Sequence, residues 1–170
     1  MLDVRIATHI DIPTIQQIAN QTWFDTYTSI LSEDQLDYMF EMMYSSRSLR
    51  TQMEEGHTFY MAYYNNKPCG YVSIEHDTDN IFHLQKLYVD PSFQGLGIGK
   101  TLLHTAFKHA SKECEEPECI VELNVNRNNK ALEFYKKMGM EINRQGDFPI
   151  GSGFCMCDYI MRIKLDNKKA

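Results

Sequence analysis

The chain has 170 residues, enough for one domain that buries a single core. Its formal net charge of −6, from 17 basic against 23 acidic residues, excludes the clustered Lys and Arg of a nucleic-acid surface and suits a cationic small-molecule partner. No run approaches the ~20 apolar residues of a membrane span, and the first residues lack a basic-then-apolar signal layout, so the expected location is cytoplasmic, with no membrane partner. Five cysteines (69, 114, 119, 155 and 157), odd in number and without CxxC spacing, predict reduced thiols and no metal site.

In chain order, Val4 to Ala7 is a short strand, followed by Thr8 and Asp11 as candidate N-caps. A helix then carries Ile12, Ile15, Ile18 and Ala19 on one stripe, with Pro13 early enough to be tolerated. The stretch from Gln21 to Ser32 is aromatic and irregular. Ser32 to Gln35 reads as a capping-box start, and Leu36, Met39, Phe40 and Met43 line one face of a second helix. A third helix, about 46–55, ends at Gly56. The period then changes to two. Thr58 to Tyr64 and Cys69 to Glu75 are strands joined by a turn at Asn65-Asn66-Lys67-Pro68, and Phe82 to Val89 is a third. A helix over 98–113, a strand from Ile120 to Val125, a helix from Lys130 to Met138 capped by Asn128, and strands over 140–147 and 154–165 complete the chain. The expected architecture is one α/β (α+β) domain over 1–165, a mixed, mostly antiparallel sheet with helices on both faces. Residues 166–170 are expected to be a frayed tail.

The strand 82–89 runs into Asp90-Pro91-Ser92-Phe93-Gln94-Gly95-Leu96-Gly97-Ile98-Gly99-Lys100-Thr101, and the helix follows. Glycines let backbone N–H groups approach a ligand closely, and a helix N-terminus adds its unpaired N–H groups and positive dipole end. Together they predict a phosphate or pyrophosphate held by main chain. A P-loop would need glycine where this chain has Gln94, and the Rossmann fingerprint needs one more residue between the last two glycines. The pattern that fits is Gln/Arg-x-x-Gly-x-Gly/Ala, which resembles the acetyl-CoA loop of the GNAT superfamily of N-acetyltransferases.

A second segment carries the same resemblance. Asn128, Ala131, Phe134, Tyr135 and Gly139 are similar to the superfamily's Asn-x-x-Ala-x-x-Phe-Tyr-x-x-x-Gly-Phe, with Met140 in the last place. The resemblance implies acetyl-CoA as cosubstrate, contacted by Gln94, Gly95, Gly97, Gly99, Lys100 and Asn128, with the Tyr135 hydroxyl near the CoA sulfur as the acid for the leaving thiolate. It also implies a bulge at Leu87 to Val89 that splays this strand from its neighbour, so that Leu87 and Val89 offer backbone groups to pantetheine and thioester. The splayed pair is part of the expected fold.

The implied reaction is acetyl transfer to a primary amine by direct attack in a ternary complex. Thr22 to Tyr27, Gly146 to Gly151 and Asp158 to Arg162 look similar to the polyamine-acetylating branch. That branch tends to carry an acidic residue in the strand before the loop, where this chain has Gln85, and a His near Asp147, which is missing here. Period two places 83, 85, 87 and 89 on one face, so His83, four before Leu87, is the candidate base, since histidine is the side chain that changes charge nearest neutrality. Trp23, Tyr27, Asp25 and Glu33 are candidates for holding the amine. The superfamily's exposed C-terminal strands imply a homodimer. Competing classes are a non-catalytic acyl-CoA-binding regulator and a nucleotide-binding P-loop-like protein.

Overall fold

The computed structural model describes residues 1–166, and the expected tail at 166–170 lies outside it apart from Asp166, which ends the last strand. Seven strands form one sheet among these residues: β1 (Leu2–Ile6), β2 (Thr58–Tyr64), β3 (Lys67–Thr78), β4 (Ile81–Val89), β5 (Glu118–Asn126), β6 (Glu141–Gly151) and β7 (Phe154–Asp166). Five α-helices accompany them: α1 (Ile12–Tyr27), α2 (Glu33–Tyr44), α3 (Ser46–Glu54), α4 (Ile98–Glu113) and α5 (Ala131–Lys137). The strand order is β1-β2-β3-β4-β5-β7-β6, and every pair is antiparallel except β4 with β5. No helix among the described residues is long and apolar enough to cross a membrane.

The alternation of each strand sends its apolar residues to two separate cores. On one face, Leu102, Leu103, Ala106 and Ala110 of α4 pack on Val72, Ile74, Leu84, Val121 and Leu123. On the other, Ile15, Ile18 and Trp23 of α1, Leu36 of α2 and Leu49 of α3 pack on Phe59, Met61 and Tyr71. Each fully buried Leu or Ile in these layers contributes about 1.5–3 kcal/mol relative to exposure.

Local chemistry sets several boundaries differently from the sequence expectation. Helix α1 runs through the aromatic stretch to Tyr27, because Trp23 is buried and the hydroxyls of Thr22 and Thr26 bond back to the Ile18 and Thr22 carbonyls. Thr8 caps a short 3-10 turn at His9–Asp11 through a complete capping box, whereas Asp11 makes no side-chain cap for α1. The β2–β3 turn is tighter than expected. Asn65 and Asn66 both take left-handed φ, 49° and 66°, as a two-residue hairpin turn requires. Helix α5 begins at Ala131 with Lys130 before it and no side-chain N-cap. Asn129 Oδ1, rather than Asn128, accepts from the Ala131 N–H at 2.9 Å.

The parallel pair that positions the site is short. β4 and β5 pair only from Ile81/Ile120 to Leu84/Leu123. Beyond that point β4 stays with β3 as far as Val89, and β5 stays with β7 as far as Asn126. The two central strands therefore part, and each carries an edge whose N–H and C=O groups no strand takes.

Candidate functional site

The parting of β4 from β5 opens a cavity of about 700 Å³ between the glycine loop, β4, β5 and α5. Gln94, Gly95, Gly97, Gly99 and Lys100 form one side of it, Leu87 and Val89 another, and Tyr135 a third. Asn128 does not line it. Asn129 does, because the turn after β5 directs the neighbouring amide inward, and Asn128 instead donates its N–H to Asn126 Oδ1 at 2.9 Å.

The loop is built to receive an anion. Gly97 precedes α4 in a left-handed conformation, φ 75°, with no side chain capping the helix. The first intrahelical bond is Thr101 N–H to Gly97 O at 3.1 Å, which leaves the N–H groups of Ile98, Gly99 and Lys100 facing outward from the helix end. A Cβ added at Gly95 or Gly97 would meet nothing within 4 Å, so both backbones border open space that a ligand can fill. Gly70 was not singled out in the sequence, yet it fixes this end of the sheet. A Cβ there would lie 2.7 Å from Tyr88 O and 3.1 Å from Leu102 Cδ1.

The bulge in β4 falls at Gln85, not at Leu87 to Val89. Ser73 pairs with Lys86 and Ile74 with Leu84, so Gln85 is the extra residue. An extra residue reverses the side-chain alternation beyond it. Leu87 and Val89 consequently pack on the α4 side, whereas Lys86 and Tyr88 face α1 to α3. The expected common face of 83, 85, 87 and 89 does not form. His83 and Gln85 lie on the α1–α2 side, where Gln85 Nε2 donates to Glu75 Oε1 at 2.5 Å and Glu75 also meets His57 Nε2 at 2.9 Å.

A second cavity of about 290 Å³ lies on that side, between α1, α2 and the sheet. It shares Tyr27, Gln85, Tyr88 and Asn124 with the larger cavity, so the two adjoin where the strands part. A hydrogen-bonded chain crosses its floor. His83 Nε2–H donates to Asn124 Oδ1 at 3.0 Å, and Asn124 Nδ2 donates to Asp158 Oδ2 at 3.2 Å. Asp158 is 1% exposed. Burial raises its carboxyl above the usual range, partly offset by the Asn124 amide and the Arg127 charge. His83 Nδ1 is buried without a hydrogen-bond partner among the described residues.

The remaining predicted residues divide between the two cavities. Trp23 lines the smaller and Asp25 the larger; Tyr27 lines both, and exposed Glu33 lines neither. Burial pushes the Tyr135 phenol above its ordinary value, so it holds its proton at neutral pH. No group of three or more His, Cys, Asp or Glu is arranged to hold a metal among the described residues. The site thus combines an anion cradle, a slot with unpaired strand edges, a protonated phenol in that slot, and a second chamber with one buried carboxylate.

Comparison with known proteins follows the same lines. Residues 27–157 match the family described as "Acetyltransferase (GNAT) domain". The spermidine N(1)-acetyltransferase of Thermoplasma acidophilum is 29% identical over 147 residues, covering 83% of this chain and 89% of that protein. A protein of Methanocaldococcus jannaschii named as an uncharacterized N-acetyltransferase is 36% identical over 90 residues, 49% of this chain, and the match spans only 38% of that protein's length. Among solved structures, the PaiA N-acetyltransferase of Thermoplasma acidophilum in complex with coenzyme A superposes with a TM-score of 0.79 at 26% identity, over 97% of this chain and 99% of that one.

Proposed function

The chain belongs to the GNAT acetyltransferase family, and on that premise we propose that it is an N-acetyltransferase moving the acetyl group of acetyl-CoA to a primary amine. The observation that carries this reading is the junction of the two cavities where β4 leaves β5, with Tyr27, Gln85, Tyr88 and Asn124 common to both. The larger chamber is the donor's. Its open glycine backbone and the helix end behind it suit the pyrophosphate, and the unpaired strand edges suit the amides of pantetheine. The Thermoplasma structure that this chain resembles holds coenzyme A, which supports the same assignment.

The amine enters from the smaller chamber. Its ammonium loses one proton before the nitrogen attacks the thioester carbonyl carbon, and a second, which restores the acid, as the C–S bond breaks and the CoA sulfur leaves as a thiol. Positioning supplies much of the barrier reduction, about 7–11 kcal/mol where two reactants are well oriented. Tyr135, protonated and facing the donor chamber, is the proposed source of the proton that the departing sulfur takes up. His83, on the floor of the amine chamber, is the proposed first acceptor of the ammonium proton, directly or through water.

The name of the Thermoplasma relative and the acidic balance of the chain support polyamines as the first acceptors to assay. A homodimer paired along the outer edge of β6, and a cytoplasmic location, belong to the same proposal, and sedimentation and fractionation test them. The reading itself is tested by CoA release from acetyl-CoA over a panel of polyamines, free amino acids and peptide N-termini. Saturable, amine-dependent release supports it. Tight acetyl-CoA binding without release on any amine would favour the non-catalytic regulator.

A further inference from the structure

The amine chamber combines polar groups, among them Gln35, His83, Gln85, Asn124 and Asn126, with a set of apolar side chains. The apolar ones are Trp23, Leu31, Met39, Met42, Met43 and Met156. Methionine walls are soft and adaptable, and they favour aliphatic or aromatic bodies over hydrated charge. The indole N–H of Trp23 already donates to Leu36 O at 3.3 Å, and its ring packs against Tyr27, Phe40, Tyr44 and Tyr88, so this wall is rigid and offers no polar group.

Of the residues lining the chamber, Asp158 is the only carboxylate. One of its oxygens accepts from Asn124 at 3.2 Å, and no hydrogen bond to the other occurs among the described residues. No cation touches it there either, since Arg127 turns to Asp147 and to Gly146 O. A buried carboxylate without a salt-bridge partner is destabilised in its charged form, and an ammonium placed against it relieves that penalty. Asn124 carries this place to the donor side, because it borders both cavities and holds Asp158 directly.

We propose that Asp158 is the specificity-determining residue of the acceptor site, and that the acceptor is an amine with one ammonium head and an apolar body rather than a polyamine. The inference rests on the transferase reading above and narrows it. One carboxylate neutralises one ammonium. The second and third charges of a triamine would find no further carboxylate among the lining residues, and neutral amides and hydroxyls offset only part of their desolvation. An apolar body in the same place exchanges water for the methionine walls. Small alkyl- and arylalkylamines and peptide N-termini with an apolar first side chain share this chemistry.

The test is kcat/KM of the full chain with saturating acetyl-CoA for hexylamine, phenethylamine, a peptide beginning with Met, and spermidine. At least one apolar-bodied amine is expected to exceed spermidine tenfold or more, and the small amines against the peptide identify the source. Asp158→Asn, close in size, is expected to raise the amine KM at least tenfold while the acetyl-CoA KM stays within twofold. Met42→Glu, placing a second carboxylate on the partly exposed wall, is expected to move the preference toward spermidine. Spermidine tenfold better than every apolar amine, or an amine KM unchanged in Asp158→Asn, overturns the inference and leaves the transferase intact. No turnover on any amine overturns both.

Discussion

The hydroxyls of Tyr27, in the last turn of α1, and Tyr88, near the end of β4, lie 3.2 Å apart on the wall that both cavities share. Burial raises both phenols above their ordinary value, so the pair stays neutral through the physiological range. Asn129 Nδ2 reaches the same Tyr27 oxygen at 3.4 Å and ties the start of α5 to it. The contact joins the first helix, the central strand and the second half of the donor site at one point. Tyr88→Phe should cost about 1 kcal/mol of stability, measured as a lower urea midpoint at unchanged slope.

Tyr135→Phe removes the proposed acid without emptying the space its ring fills. Turnover at saturating acetyl-CoA should fall about 10²-fold while the donor's dissociation constant changes little. Full turnover in the variant would remove the acid role.

His83 acts, in this account, through proton removal from the ammonium. His83→Ala should therefore lower kcat about 10²-fold, and added imidazole should restore part of the loss. A loss that imidazole does not restore, accompanied by a lower urea midpoint, would assign His83 a structural part in the His83–Asn124–Asp158 chain.

Gly97→Ala tests the anion cradle against backbone strain. Gly97 and Gly56 both hold positive φ, 75° and 103°, with open space where a Cβ would go, and only Gly97 lines the donor cavity. Each substitution should cost about 1 kcal/mol of stability. Acetyl-CoA affinity should fall about tenfold in Gly97→Ala alone, read by calorimetry. Equal losses of affinity would mean that strain, not ligand approach, is being measured.

Lys86 gives the fold a pH signature. The residue is 4% exposed, and its ammonium is bonded to Gln52 Oε1 at 2.6 Å and set 5.4 and 5.7 Å from the Tyr44 and Phe59 ring centres. Burial lowers its pKa to about 8, partly countered by Glu75. Between pH 8 and about 10.4 the unfolded chain keeps this proton and the folded chain loses it, so Lys86 makes stability rise with pH across that window. The rise is on the order of 3 kcal/mol. Lys86→Met should remove it from the difference between wild-type and variant unfolding curves. Superimposable pH dependence would show that Lys86 is ionised in the fold as in water.

The elements whose signals are local were legible in the sequence. Helix α4 spans the expected 98–113, because glycines lead into it and its apolar stripe has a single solution. β2 likewise spans the expected 58–64. What was not legible depends on partners distant in the chain. The bulge at Gln85 exists because β3 pairs with β4 in a shifted register, and no residue near 85 announces it. That one extra residue moved His83 to the face opposite Leu87 and Val89. Asn129 displaced Asn128 for a similar reason, since the Asn126–Asn129 turn sets which amide points inward. Asp158 was read as part of a resemblance and not as a site residue. It meets His83 through Asn124 only once β7 lies beside β5.

The central claim is that an acetyl group passes from acetyl-CoA to an amine where the two cavities meet. The most direct measurement is mass analysis of the products when the purified chain is incubated with acetyl-CoA and a primary amine it binds. The account predicts N-acetylated amine and free CoA in equal amounts, with both formed about 10²-fold more slowly in Tyr135→Phe. Acetyl-CoA bound tightly in the larger cavity and recovered intact with every amine tried would contradict it.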